Sequence, residues 1–209
     1  MDILLARRIV ETLADRIVAH ADALTALDQA IGDGDHGLNM KRGFEAVRAD
    51  LDTLAAGGVA ALWSGVGRTL VMKVGGASGP LYGTLFLQLG KSWPASAVVT
   101  GTPDAAALAR CFEEAVAAVA ARGKSQAGQK TMLDVLVPVV ARVAAGDGPA
   151  ALRDHAAAAA EAILDRREAG DRGRLRDPCA DEPGRDARGP LPLPRRAQRR
   201  HGGHGRRRR

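Results

Sequence analysis

The chain has 209 residues, enough for one domain with a real core, and 46% of them are apolar but only 3% aromatic. Such a core is built from Ala, Leu and Val, which suits closely packed helices, and no apolar run is long enough to span a bilayer. The net charge of +6 is lodged in one region: residues 1–166 hold 16 Lys+Arg against 18 Asp+Glu, whereas residues 167–209 hold 14 Arg against 6, so the first part is mildly acidic and offers no obvious nucleic-acid surface.

The N-terminus, Met1 to Arg8, has no basic lead before its apolar stretch and makes a poor signal peptide. Two cysteines, Cys111 and Cys179, do not make a disulfide framework. These features predict a cytoplasmic setting.

Apolar spacing predicts successive helices over residues 1–166. Ile3, Val10, Leu13 and Ile17 mark the first. Met40, Phe44, Val47, Leu51 and Leu54 recur by fours and threes, an amphipathic stripe closed by Gly57 and Gly58. Leu62, Val66, Thr69 and Leu70 mark a third, and the only strand-like run is the short Leu70-Val71-Met72. Leu81, Leu85 and Leu89 follow Pro80, with Gly90 as the expected stop. Leu108, Phe112, Val116 and Val119 lie between Pro103 and Gly123. Met132, Val135, Leu136, Val139, Val140 and Val143 form another, with a kink expected at Pro138. Pro149 opens an alanine-rich helix that runs to about Arg166. The expected fold is therefore all-α, an antiparallel bundle with short connections. Beyond it, residues 167–209 lack Ile, Val, Met, Phe, Tyr and Trp and end in four arginines; a segment so poor in burial is expected to be disordered.

Three motifs carry chemistry. The first runs from Asp28 to Asn39 and places Asp28, Asp33 and Asp35 within eight positions, separated by Gly32 and Gly34 and followed by His36. Clustered carboxylates repel unless a cation lies between them, and hard cations such as Mg²⁺ take oxygen ligands from a few carboxylates and from phosphates. A single Asp-Gly-Asp is more often an ordinary polar turn; three aspartates with His36 and Asn39 favour a metal. The second motif, Val74-Gly-Gly-Ala-Ser-Gly-Pro-Leu-Tyr-Gly83, is a glycine-rich turn feeding a helix, with Ser78 as the expected N-cap. Free amides and the helix dipole there suit an anion. Gly-Gly alone would be an ordinary junction, but a carboxylate loop and an amide cradle together describe a magnesium-bound nucleotide. The third motif is Gly123-Lys124 followed by Gly128-Gln-Lys-Thr-Met-Leu-Asp134, with Thr131 as an N-cap. Met132 suits the flat face of an adenine, yet it also starts an apolar stripe, and spacing alone favours a core position.

In this order and spacing, Ile31-Gly-Asp-Gly-Asp-His-Gly37, Val74 to Gly83 and Lys130-Thr-Met-Leu-Asp134 resemble the nucleotide-binding L subunit of dihydroxyacetone (glycerone) kinase, over roughly residues 1–165. The resemblance implies an eight-helix antiparallel barrel holding ADP and two Mg²⁺ at one end. It implies Asp28, Asp33 and Asp35 as metal ligands, and His36, Gly37, Leu38, Asn39, Ala77, Ser78, Gly123 and Met132 around the nucleotide. As a stand-alone subunit the chain resembles the bacterial form in which a phosphohistidine carrier protein of the phosphotransferase system rephosphorylates the ADP. The phosphoryl group then passes to dihydroxyacetone on a separate K subunit. Such a chain positions and neutralises charge, and no side chain of its own is assigned as catalytic. The resemblance also allows a homodimer.

The resemblance fails after the seventh helix. The family continues with a segment like Gly-Arg-Ala-Ser-Tyr-Leu-Gly-Glu-Arg-Ser, then Asp-Pro-Gly and a last helix, whereas here Asp177-Pro178 is followed by Cys179. Back-translated one nucleotide later, Pro194 to Arg200 permits Leu-Gly-Glu-Arg-Ser-Val-Gly, which suggests a frameshift after about Leu164. The expectation is a barrel without its last helix, with exposed apolar flanks on the first and seventh helices and weakened ADP retention. Three alternatives stand beside this reading: an ATP-using L-type domain serving another small hydroxylated acceptor, an inactive truncated subunit, and a nucleic-acid-binding protein acting through its tail. The last is disfavoured because the tail lacks interleaved aromatics that stack on bases, so no specific nucleic acid is expected.

Overall fold

The computed structural model describes residues 2–30, 32–94 and 105–168, with backbone alone for 164–168. The expected disordered tail, the absent last helix and the change of reading frame fall on residues outside this set.

Nine helices and no strand occur among the described residues: α1 (Ile3–Ala19), α2 (Ala21–Gln29), α3 (His36–Ala49), α4 (Leu51–Ala55), α5 (Val59–Lys73), α6 (Ser78–Ser92), α7 (Ala105–Gly123), α8 (Leu133–Ala144) and α9 (Pro149–Glu168). The first two follow one another across His20, and α3 and α4 across Asp50, so the stripe from Met40 to Leu54 is carried by two helices rather than one. The strand-like run at Leu70 is helical, inside α5. Helix α8 runs through Pro138 to Ala144. Asp2 caps α1 by accepting the Leu5 amide at 2.8 Å.

Neighbours in sequence are neighbours in space. The packing order runs α9, α8, α7, α6, α5, α3, α1, with α2 also against α3 and α4 against α5. The predicted stripes face inward: Met40, Phe44, Val47 and Leu51 join Leu62, Val66 and Leu70 in a core completed by Val10, Phe86 and Leu89. A second cluster of Val116, Val119, Leu133 and Val140 lies between α7 and α8. No packing of comparable extent joins α9 to α1 among the described residues. Leu4, Leu5 and Leu13 of α1 are exposed, and no residue of α9 from 149 to 163 is buried.

Small residues set the closest approach. A Cβ on Gly67 would lie 2.7 Å from the Gly83 carbonyl, and one on Gly83 would lie 2.9 Å from the Gly67 carbonyl. Helices α5 and α6 therefore meet backbone to backbone, and an added methyl there costs about 1–3 kcal/mol in forced shifts. The same need corrects the expected stop at Gly90. Helix α6 continues to Ser92, and Gly90 is small because a Cβ would meet Ser64 Oγ at 2.1 Å and the Ala60 carbonyl at 2.6 Å. Packing, not termination, selects glycine at that position.

Candidate functional site

The segment between α2 and α3 is organised by one carboxylate. Asp28 Oδ2 accepts the backbone amides of Gly34, Asp35 and His36 at 2.9, 3.1 and 3.3 Å. The chain reverses through Gly34 at φ +76°, a conformation that glycine adopts without penalty. This winding gathers Asp28, Asp33 and Asp35, with one carboxylate oxygen from each lying within 4.8 Å of the others. Asp28 is half-buried, and Asp33 and Asp35 are exposed. Three oxygen donors at that spacing fit a hard divalent cation in their midst, because such an ion takes carboxylate oxygens and removes the mutual repulsion. It is the only such cluster among the described residues.

Helix α3 begins immediately afterwards. His36 is its first residue, and Nδ1 lies 3.1 Å from Ser78 Oγ, the first residue of α6. The N-termini of two helices are thus tied side by side, each with a positive dipole end and, apart from the His36 amide already bonded to Asp28, first-turn amides without an intrahelical partner. Ser78 does not cap α6. The cap position is Ala77, without a side-chain hydrogen bond, and the serine hydroxyl is turned to His36 instead. Gly37 is buried against α2, where a Cβ would lie 1.9 Å from the Ala21 carbonyl, so its absent side chain lets α3 seat beside the carboxylate loop. Leu38 is 61% exposed and Asn39 only 7%. The turn that leads into α6 passes through Gly76 at φ +64°, and Ala77 is exposed beside it.

The third segment meets the first turn of α6 on its other side. Gly123 closes α7, and a Cβ on it would lie 3.3 Å from Leu81 Cδ2. Met132 is half-buried and packs on the second cluster together with Leu81, Leu85 and Phe112. Its core position, expected from spacing, and a place at the edge of a nucleotide site are therefore compatible. The loop from Lys124 to Thr131 has positive φ at Lys124, Gly128 and Lys130. It is held by Asp134, the last residue of the third motif, whose role its spacing alone did not reveal. Asp134 is 3% exposed; Oδ1 accepts the Gly128 amide at 2.6 Å and Oδ2 the Thr131 amide at 2.7 Å. Thr131 Oγ1 accepts the Leu133 amide at 3.2 Å, so Thr131 and Asp134 bond reciprocally in the turn that leads into α8, whose cap position is Met132, one residue beyond the expected Thr131. The Thr-x-x-Asp spacing was the available signal.

Comparison with known proteins gives the family of the chain. A family profile, the DAK2 domain, matches residues 30–170. The chain belongs to the DAK2 domain family. This DAK2 domain is 43% identical over 135 residues to the ADP-binding subunit DhaL of PEP-dependent dihydroxyacetone kinase 1 of Listeria innocua, covering 65% of the chain and 66% of that protein. It is 41% identical over 126 residues to the corresponding subunit DhaL of Escherichia coli, covering 60% of the chain and 58% of that protein. The chain thus spans less than two thirds of the length of these relatives. The crystal structure of the dihydroxyacetone kinase from C. freundii in complex with AMP-PNP and Mg²⁺ superposes with a TM-score of 0.63 at 26% identity, covering 77% of the DAK2 chain and 29% of that chain. The all-helical fold is that of this family. No helix among the described residues is long and apolar enough to cross a membrane.

Proposed function

We propose that this DAK2 domain is the ADP-holding subunit of a dihydroxyacetone kinase, a phosphotransferase. It would take a phosphoryl group from a phosphohistidine carrier onto bound ADP and present it to dihydroxyacetone on a partner K subunit. The observation that carries this reading is the convergence of three carboxylates within 4.8 Å beside two helix N-termini joined by His36 and Ser78. The relatives named as ADP-binding subunits support it.

Asp28, Asp33 and Asp35 are the residues that would hold two Mg²⁺, which when bound supply positive charge to the phosphate oxygens. The amides opening α3 and α6, with His36, Asn39 and Ser78, would orient the phosphates. Gly123 leaves room beside Leu81, and Met132 offers a soft apolar surface for the base. Proton removal from the acceptor is left to the partner, because phosphoryl transfer asks mainly for positioning and charge neutralisation from this side. A second reading, ATP used directly as donor, draws support from the C. freundii kinase complex, which contains AMP-PNP.

The deciding experiment is calorimetric titration of ADP into the chain with and without Mg²⁺. Binding that depends on Mg²⁺ and falls at least roughly a hundredfold in Asp33→Ala, a loss of about 2.7 kcal/mol, is the expected result. Failure of the folded chain to bind ADP would sink the reading. Equal affinity for a chain with the reading frame restored after Leu164 would sink the expectation that the altered tail weakens retention.

A further inference from the structure

Two segments must keep a fixed separation for the proposed phosphate site to exist: the first turn of α3 and the Gly75–Ala77 turn at the end of α5. One side chain spans them. Arg42 lies in the second turn of α3, and its Nε donates to the Lys73 carbonyl at 2.9 Å, while its Nη2 donates to Asn39 Oδ1 at 2.5 Å. Lys73 is the last residue of α5, so its carbonyl belongs to the set that a helix leaves without an internal partner. The planar fork of arginine presents two donors in a fixed relation, which a lysine cannot reproduce with one nitrogen.

The contact with Asn39 also sets which end of that amide is available. A guanidinium only donates, so it engages the amide oxygen and leaves the two N–H donors for another acceptor. Asn39 is 7% exposed and lies flat against the opening of the turn: a Cβ on Gly75 would come within 3.0 Å of its oxygen and 3.1 Å of its nitrogen. An amide held in that way offers donors, not an acceptor, to an anion in the turn.

We infer that Arg42 is a positioning residue for a nucleoside diphosphate. It ties the oxygen of Asn39 back and presents the amide N–H groups to phosphate, and its second bond, to the Lys73 carbonyl, holds the guanidinium in place to do so. The inference rests on the nucleotide-holding reading above and adds to it a residue that need not touch the ligand.

The test titrates magnesium-ADP into the unmodified chain, Arg42→Lys, Arg42→Gln, Asn39→Ala and the Asn39→Ala/Arg42→Lys pair, with thermal melting followed for each. Arg42→Lys and Arg42→Gln are both expected to bind roughly tenfold more weakly, at little-changed melting temperature. The double variant is expected to bind within about twofold of Asn39→Ala, because the arginine acts through that amide. Three results would overturn the inference while leaving the nucleotide reading intact: wild-type affinity in Arg42→Lys, which would make charge sufficient; additive losses in the double variant; or affinity and melting falling in parallel. An unmodified chain that binds no ADP overturns the nucleotide reading, and this inference with it.

Discussion

The loops that precede α3 and α8 are built on the same device and put to different uses. In each, one aspartate accepts several backbone amides and winds the chain around itself: Asp28 takes Gly34, Asp35 and His36, and Asp134 takes Gly128 and Thr131. The difference lies in what surrounds them. Asp134 is 3% exposed and is balanced by neutral amides within its own loop. Asp28 has two further carboxylates within 4.8 Å, both exposed, and neutral amides do not offset that repulsion. The first arrangement is complete in itself, whereas the second leaves a repulsion that a hard cation would offset. A carboxylate that shapes a loop and one that holds a ligand are thus told apart by their neighbours, not by their own hydrogen bonds.

That contrast can be broken most directly at Asp134. Replacing it with alanine removes the buried acceptor of two amides in a turn whose residues 128–130 are exposed, and is expected to cost about 2 kcal/mol of stability, read from urea denaturation. A loss below about 1 kcal/mol would mean the loop is held by other contacts. The next effect is smaller and probes backbone shape alone. Gly76 has φ +64° and nothing within 4 Å of a built Cβ, so Gly76→Ala is expected to cost about 1 kcal/mol through conformation without a clash. An unchanged denaturation midpoint would argue against the left-handed turn.

Asp33→Ala should change stability by no more than about 0.5 kcal/mol, in either direction, while abolishing Mg²⁺-dependent ADP binding. A large destabilisation there would make Asp33 a structural residue like Asp134 and dissolve the distinction.

A further effect lies away from both loops, at Cys111. Burial, and then the nearby Glu114 carboxylate, push its thiol up to about 11. Ionisation is easier in the unfolded chain, near 9.0, so the thiol's contribution is fully present below that value and is lost as pH rises toward 11. The stability difference between the wild type and Cys111→Ala, measured by denaturation, should therefore narrow between about pH 8 and about pH 11. A difference independent of pH would show that the thiol is not held neutral by its surroundings.

The chain's own pattern determined a great deal. Apolar residues at threes and fours located α1, α3 and α5 to α8 because one face of each meets the core, and Met40, Phe44, Val47, Leu62, Val66 and Leu70 are buried as that periodicity requires, whereas α9 was marked by Pro149 and its alanines. Asp28, Asp33 and Asp35 were recognisable as a set because three like charges at short spacing have few neutral explanations. What periodicity misjudged was glycine and serine, whose roles depend on a partner distant in sequence. Gly90 reads as a stop until Ser64 and Ala60 are seen pressed against it, and Ser78 reads as a cap until His36 is found 3.1 Å away. The fork of Arg42, reaching a carbonyl 31 positions along the chain, was not legible at all. Local sequence dictates which face of a helix is apolar, since that follows from the turn of the helix itself. Which small or polar side chain meets which neighbour follows only when the helices are set side by side, because those contacts act over a few ångströms and belong to the packing.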